Sequence, residues 1–149
     1  MLKPPAALLS LIRRFEGLRR KPYLCPAGVP TIGYGSTGPH VTMRTPPITP
    51  AVAEQMMQSD ALKFTLATAS LCPTVIADEP KLAALADFAY NLGATRLAGS
   101  TLRRKVQARD WDAAGVELAK WVRGGGRILP GLVARRAAER VLLTQGAKS

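Results

Sequence analysis

The sequence predicts a mostly helical α+β protein in which a small N-terminal hairpin lobe is joined by a long helix to a C-terminal helical lobe. Residues 50–71 contain neither Gly nor Pro after Pro50, which favours one uninterrupted helix. Residues 23–35 instead place β-branched and aromatic residues on both sides of a Pro-Ala-Gly turn, the pattern of a short hairpin. We therefore expect a single domain over 1–149, with lobes at about 13–50 and 72–149 plus the first helix.

Each predicted helix has its own signal along the chain. Apolar residues recur every three or four positions in residues 5–18, and Pro22 stops any continuation. The long helix begins at Thr49-Pro50, a hydroxyl cap followed by proline at the first helical position. Residues 36–49 are expected to form a loop, and the three glycines at 124–126 a flexible break. The remaining helices are predicted at 81–92, from 100 or 101 to 106, at 111–122 and from 129 to about 143.

The positive charge lies at the two ends of the chain. Of a net charge of +11, residues 1–22 carry +5, residues 101–140 carry +6 and Lys148 carries +1, whereas residues 23–100 carry −1. Such a distribution favours a polyanionic partner, either a nucleic acid or the acidic envelope and peptidoglycan of a bacterium. A basic nucleic-acid-binding helical protein without enzymatic activity is therefore an open alternative, although the sequence has few aromatic residues and no recognised nucleic-acid motif.

The cysteine and histidine content predicts neither a metal site nor a bound cofactor. Cys25 and Cys72 are the two cysteines and His40 the one histidine, so paired zinc ligands are missing. A single bridge between the cysteines is arithmetically allowed, but a reducing cytoplasm disfavours it. No apolar run approaches the ~20 residues of a membrane span, and no signal peptide is evident. We expect a soluble protein without an export signal of its own.

Three polar residues around the predicted hairpin are the candidates for catalysis. Glu16 lies beside Phe15 at the border of an apolar stripe, where burial would favour its protonated form and the neighbouring basic run its carboxylate. Cys25 and Thr31 stand on opposite arms of the hairpin, where cross-strand pairing would let them hold a water molecule. The alternative is that Glu16 is an exposed helix-end residue and Cys25 a small buried apolar one.

The spacing of these residues resembles the catalytic signature of phage-type lysozymes, glycoside hydrolase family 24. Glu16, eight residues, Cys25, five residues and Thr31 are followed by Ile-Gly-Tyr-Gly, and in that family the middle position is usually Asp and in a subset Cys. Two later segments extend the resemblance to about residues 8–143. They are ALADFAYNLGATRLAGSTLRRKV and WDAAGVELAKWVRGGGRILPGLVARRAAER.

The resemblance implies a lysozyme-like fold and hydrolysis of the β-1,4 bond between N-acetylmuramic acid and N-acetylglucosamine. Glu16 would be the general acid, with Cys25 and Thr31 positioning the attacking water. Inversion needs room for that water, so Glu16 and the residue opposite it are expected about 6.5–9.5 Å apart. The thiol departs from the usual carboxylate, so Cys25 would either orient water or act as a thiolate. The resemblance also implies a monomer that needs no cofactor and does not bind nucleic acid. Its partners would be peptidoglycan and the anionic bacterial envelope. It would stay in the host cytoplasm until a holin opens the inner membrane, and act in the periplasm.

Further residues carry weaker expectations. Those that fall where family members line the saccharide cleft are Tyr34, Thr37, Tyr90 and Glu117, although Tyr90 fits a core aromatic equally well. His40 is expected at the surface, and Trp111 and Trp121 in the core. Arg135, Arg136 and Glu139 predict a solvated ion-pair face worth a few tenths of a kcal/mol. The basic helix at 131–143 also fits a membrane-active amphipathic segment.

Overall fold

The computed structural model describes Met1–Gly146, and within that range it contains seven α-helices and two short antiparallel hairpins. The mostly helical α+β architecture is confirmed. Its elements, in chain order, are α1 (Ala6–Glu16), β1 (Arg19–Leu24), β2 (Pro30–Gly33), α2 (Pro50–Leu71), α3 (Glu79–Leu92), α4 (Ala94–Ala98), α5 (Thr101–Gln107), α6 (Trp111–Leu118), β3 (Arg123–Gly124), β4 (Arg127–Ile128) and α7 (Pro130–Leu143). A 3-10 turn, Pro73–Val75, joins α2 to α3.

The first hairpin follows directly from the end of α1. Gly17 takes φ +70°, a conformation that glycine adopts freely, so the helix stops at Glu16 and the chain turns into β1. The predicted turn is confirmed, because the Cys25 amide donates to the Val29 carbonyl at 3.1 Å and the Gly28 amide to the Cys25 carbonyl at 2.8 Å. The first strand begins earlier than the sequence predicted, at Arg19. The basic run therefore lies on an exposed strand.

The central helix α3 organises the larger lobe. Nine consecutive residues from Lys81 to Ala89 are buried, the pattern of a helix enclosed on all sides. Helices α1, α2, α4 and α7 all pack against it. The long helix α2 has the predicted bounds and cap, with the Val52 amide donating to the Thr49 hydroxyl at 3.2 Å. One core cluster gathers around α3, α5 and α6, and a second joins α1 to α2 and α3.

Three local predictions are wrong. The glycines at 124–126 form the tight turn of the β3–β4 hairpin, in which Gly125 and Gly126 adopt positive φ, rather than a flexible break. Helix α6 ends at Leu118 rather than at 122, and α4 was not predicted.

The C-terminal helix packs in the interior of the protein instead of presenting a solvated basic face. Arg135, Arg136 and Glu139 are 3%, 1% and 0% exposed, so the expected surface ion pair is wrong. The same burial removes these arginines from the polar face that a membrane-seeking helix would need. Among Met1–Gly146, none of the helices combines the length and apolarity that crossing a membrane requires.

Candidate active site

Glu16 closes α1 at the edge of the hairpin lobe, and its side chain remains 20% exposed. The loop after β2 approaches it closely, because a Cβ placed on Gly35 would lie 3.0 Å from Glu16 Oε1. Gly35 also takes φ +87°, so a side chain there would be both strained and in contact with the carboxylate. Glycine at this position lets the backbone approach the candidate acid.

An arginine of α7 holds the Glu16 carboxylate from the protein side. Arg135 Nη1 donates to Glu16 Oε2 at 2.6 Å, a short charge-assisted hydrogen bond. The same guanidinium binds Asp87 of α3 through two parallel hydrogen bonds, Nε to Oδ2 and Nη2 to Oδ1, both at 2.8 Å. Arg135 therefore bridges two carboxylates, one fully buried and one facing the solvent-accessible side.

Behind this bridge a second buried arginine, Arg136, contacts a second buried carboxyl, Glu139. Arg136 Nη2 donates to Asn91 Oδ1 at 2.7 Å and to Glu139 Oε2 at 3.0 Å. Arg136 Nε lies 2.8 Å from Glu139 Oε1, but its N–H does not point at that oxygen, so this contact is electrostatic only. The guanidinium also lies over the ring of Phe88 at 5.2 Å. The network thus joins α1, α3 and α7 beneath the candidate acid.

Burial and hydrogen bonding shift the pKa values of the two buried carboxyls of this network in opposite directions. Burial raises the pKa of Asp87, but hydrogen bonds from Arg135 and Glu139 and the two arginine charges outweigh it, so the pKa falls below its ordinary value. Burial, followed by the hydrogen bond and negative charge of Asp87, raises the pKa of Glu139 well above its ordinary value. Of the two, Asp87 therefore holds its negative charge more readily, and Glu139 holds its proton more readily.

Cys25 and Thr31 lie on either side of the turn of the first hairpin, but Cys25 is not the residue that pairs with Thr31. Tyr23 pairs with Thr31 across the strands, and Thr31 is 3% exposed with its hydroxyl donating to the Val29 carbonyl at 2.9 Å. The pKa of the Cys25 thiol lies below its ordinary value, chiefly because the Val29 backbone stabilises the thiolate, with further support from Ala27, Thr31 and Gly28. The thiol is free and partly accessible.

The two tyrosines that were expected in the cleft, Tyr34 and Tyr90, are joined by a hydrogen bond. Tyr90 of α3 donates its hydroxyl to the Tyr34 carbonyl at 2.6 Å and packs edge-on against Phe64. This bond ties the central helix to the loop that carries Gly35. Burial raises the pKa of Tyr90 far beyond its ordinary value, so its hydroxyl stays protonated as a donor.

Thr37 lies exposed beside a polar cavity of about 280 Å³, whose lining also includes His40 and Asp60. Ser36 donates to Asp60 Oδ2 at 2.7 Å on the same wall. His40 is exposed, as expected. Glu117 lies on α6, where it pairs with Lys120 at 2.9 Å.

Cys72 is fully buried in the helical lobe, and burial raises the pKa of its thiol to about 11. The bridge that the arithmetic allowed is not formed, since both cysteines are free. Trp111 and Trp121 pack against the core cluster of the same lobe, as expected. Within Met1–Gly146, no group of three or more His, Cys, Asp and Glu side chains could hold a metal ion.

A cavity of about 400 Å³ opens directly beside the candidate acid. Glu16 and Arg135 form its polar side and Phe15, Leu129 and Leu132 its apolar side. An acid at the edge of such a cavity, held by a buried arginine, can donate a proton to a bound polar substrate.

Comparison with known proteins places this arrangement in a class. The muramidase domain of SpmX from Asticaccaulis excentricus superposes with a TM-score of 0.84 at 28% sequence identity, covering 96% of this chain and 98% of that one. The chain is 37% identical over 138 residues to the endolysin of Acyrthosiphon pisum secondary endosymbiont phage 1, covering 90% of this chain and 92% of that protein. It is 36% identical over 127 residues to the SAR-endolysin of Bacteriophage PS119, covering 84% of this chain and 74% of that protein. It spans about half the length of two Bacillus phage endolysins that it also matches.

The fold is lysozyme-like and the protein is a glycoside hydrolase. Residues 13–139 match the phage lysozyme family, and the chain belongs to that family.

Sequence reasoning missed the partners of the acid. Asp87 and Asn91 were not singled out, and Arg135 was expected at the surface. One signal was available, since Asp87 is a lone carboxylate within the apolar run ALADFA of α3 and an acid at such a position needs a buried partner.

Proposed function

We propose that the enzyme hydrolyses the β-1,4 bond between N-acetylmuramic acid and N-acetylglucosamine in peptidoglycan, with Glu16 as the general acid. The observation that supports it best is the Glu16 carboxylate, which lies at the edge of a cavity and is held by Arg135 at 2.6 Å beside the approaching Gly35 backbone. Glu16 donates its proton to the glycosidic oxygen as the bond to the anomeric carbon breaks.

Cys25 and Thr31 act on the opposite side of the sugar. They position a water molecule that attacks the anomeric carbon, and the proton that the water loses passes to the Cys25 thiolate. The lowered pKa of Cys25 supports the thiolate form, and the buried Thr31 hydroxyl supports a fixed orientation of the water. Because water attacks directly, the product has an inverted anomeric configuration.

The residues expected from the sequence to contact the saccharide lie in different environments. Thr37 faces an open polar cavity and is suited to hydrogen-bond a sugar or its N-acetyl group. Tyr34 and Tyr90 shape the wall through their mutual hydrogen bond. Glu117 is proposed to line the far part of the cleft from α6, where it pairs with Lys120.

The basic strand supports an anionic polymer as substrate. Arg19, Arg20 and Lys21 are exposed on β1, three to five residues after Glu16, and no carboxylate of the described residues forms an ion pair with them. A cationic surface of this kind concentrates an enzyme on an acidic wall and its envelope. We also propose that the enzyme acts as a monomer in the periplasm and reaches it from the host cytoplasm once a holin opens the inner membrane.

The test is a turbidity assay on outer-membrane-stripped cells with Glu16→Gln, which keeps the shape of the side chain and removes its proton. We expect lysis to fall by at least about 10²-fold, in line with the loss of general acid catalysis. Glu54→Gln is the matched control, since Glu54 pairs with Arg13 in an exposed ion pair on α1 and α2. Mass analysis must show reducing ends on the fragments, and proton NMR the inverted anomer. A fully lytic Glu16→Gln enzyme, or 1,6-anhydro ends, refutes the proposal.

A further inference from the structure

A general acid must carry a proton when the substrate is bound, yet Glu16 lies within 2.6 Å of a guanidinium nitrogen. An arginine at that distance stabilises the carboxylate and opposes protonation. Whatever else binds Arg135 affects how strongly it holds the Glu16 carboxylate.

Asp87 binds Arg135 from the opposite side. Its two oxygens accept from Nε and Nη2 of Arg135, both at 2.8 Å, which leaves Nη1 to face Glu16. The Asp87 side chain is 0% exposed and that of Arg135 4%, so water screens this pair little. The negative charge of Asp87 offsets the positive charge that Glu16 experiences.

Glu139 keeps that negative charge on Asp87. Glu139 is fully buried, and burial together with Asp87 raises its pKa, which favours the protonated form that donates a hydrogen bond to Asp87. If Asp87 were neutralised, the pKa of Glu139 would fall, because the hydrogen bond and charge that raise it would be lost.

We propose that Asp87 is a positioning residue for the reaction: by offsetting the charge of Arg135, it leaves Glu16 able to hold the proton that the glycosidic oxygen receives. This inference rests on the proposed role of Glu16. It assigns to α3 a determinant of the pH range of the enzyme, although Asp87 is buried behind Arg135 and does not reach the substrate.

The other charged or titratable groups near Glu16 do not compete with this effect. Tyr23 of β1 and Tyr90 of α3 both interact with the Glu16 charge, but the pKa of each is raised, so both stay neutral in the working range. Asp60 of α2 also interacts with Tyr90. Arg136 of α7 binds Asn91 and Glu139 rather than Glu16. The effect of Asp87 therefore reaches Glu16 through Arg135.

The experiment measures kcat against pH for wild type and Asp87→Asn on soluble glycan strands at constant ionic strength. Asparagine keeps an oxygen to accept from Arg135 and removes the charge. We expect the alkaline limb, where the acid loses its proton, to move to lower pH by about one unit. Activity at a fixed pH on that limb falls about tenfold. At acid pH kcat returns toward the wild-type plateau.

Two further variants complete the design. Asp87→Asn with Glu139→Gln removes both sources of negative charge, so its shift should equal or exceed that of Asp87→Asn alone. Glu54→Gln, which removes a carboxylate from an exposed arginine pair, should leave the limb in place. Asp87→Ser, which keeps a hydroxyl acceptor, provides the same measurement should Asp87→Asn fail to fold.

The outcomes separate this inference from the proposed function. A uniform loss of kcat at every pH, or an unmoved limb in the double variant, overturns the role of Asp87 and leaves Glu16 as the acid. A lytic Glu16→Gln enzyme overturns the proposed function itself.

Discussion

Replacing Arg135 with Met should destabilise the protein far more than sequence reasoning would suggest. The spacing on α7 predicted a solvated ion pair worth a few tenths of a kcal/mol. In the structure the Arg135 side chain is 4% exposed and its partner Asp87 is 0% exposed, so removing the arginine leaves a carboxylate buried without its cation. Breaking such a pair costs about 3–5 kcal/mol.

Equilibrium unfolding in urea, followed by circular dichroism at pH 7, measures this loss. For a chain of this size a loss of about 3–5 kcal/mol corresponds to a Tm lower by about 6–20 °C. Arg135→Met combined with Asp87→Leu should recover much of the stability, because both charges then leave the interior. Arg13→Met, at the exposed pair with Glu54, should cost less than about 1 kcal/mol. If Arg135→Met also costs less than this, the buried network does not contribute as argued.

Two other predictions concern titration. Glu139→Gln should raise stability at neutral pH. In the folded wild-type protein Glu139 keeps its proton above the ordinary pKa of 4.5, whereas in the unfolded chain it loses that proton. The free energy of unfolding of the wild type therefore falls by up to about 1.4 kcal/mol per pH unit as the pH rises towards the raised pKa, and glutamine removes this loss. Urea unfolding from pH 5 to 8 checks it, and an unchanged slope in the variant contradicts it. Cys25→Asp should extend activity to lower pH, because a carboxylate remains ionised where the thiolate is protonated, whereas Cys25→Ser should lose about 10²-fold or more. A Cys25→Ser enzyme with full kcat would show that the residue only orients water.

The fold was predictable where its signals are local. The cap at Thr49-Pro50 and the uninterrupted run after it set the bounds of α2. The Pro-Ala-Gly turn set the position of the first hairpin, with Cys25 and Thr31 on either side of it. Within α4 and the glycine turn at 124–126, local propensity carries little information. Glycine lowers helix propensity and permits any turn, so the β3–β4 hairpin depends on the positive φ of Gly125 and Gly126, which a sequence does not display.

Of the candidate site, only the part on the first hairpin was predictable, because only there do residues close in sequence lie close in space. Thr31 and Cys25 are six positions apart and flank one turn. Arg135 is 119 positions from Glu16 and 48 from Asp87, and no helical periodicity relates them. Spacing on α7 alone matched Arg136 with Glu139, but it could not show that α3 covers that face of the helix.

This division has a consequence for how the two sides of the site respond to change. The residues proposed to position water, Cys25 and Thr31, depend on a single hairpin, so substitutions there should alter kcat with little effect on global stability. The surroundings of Glu16 are instead assembled from α1, α3 and α7, which the Arg135 guanidinium joins by binding both Glu16 and Asp87. We expect any loss of packing among these helices to displace Arg135, and with it the carboxylate of Glu16. Under the proposed mechanism, catalysis and stability are therefore coupled through Glu16 and separable at the hairpin.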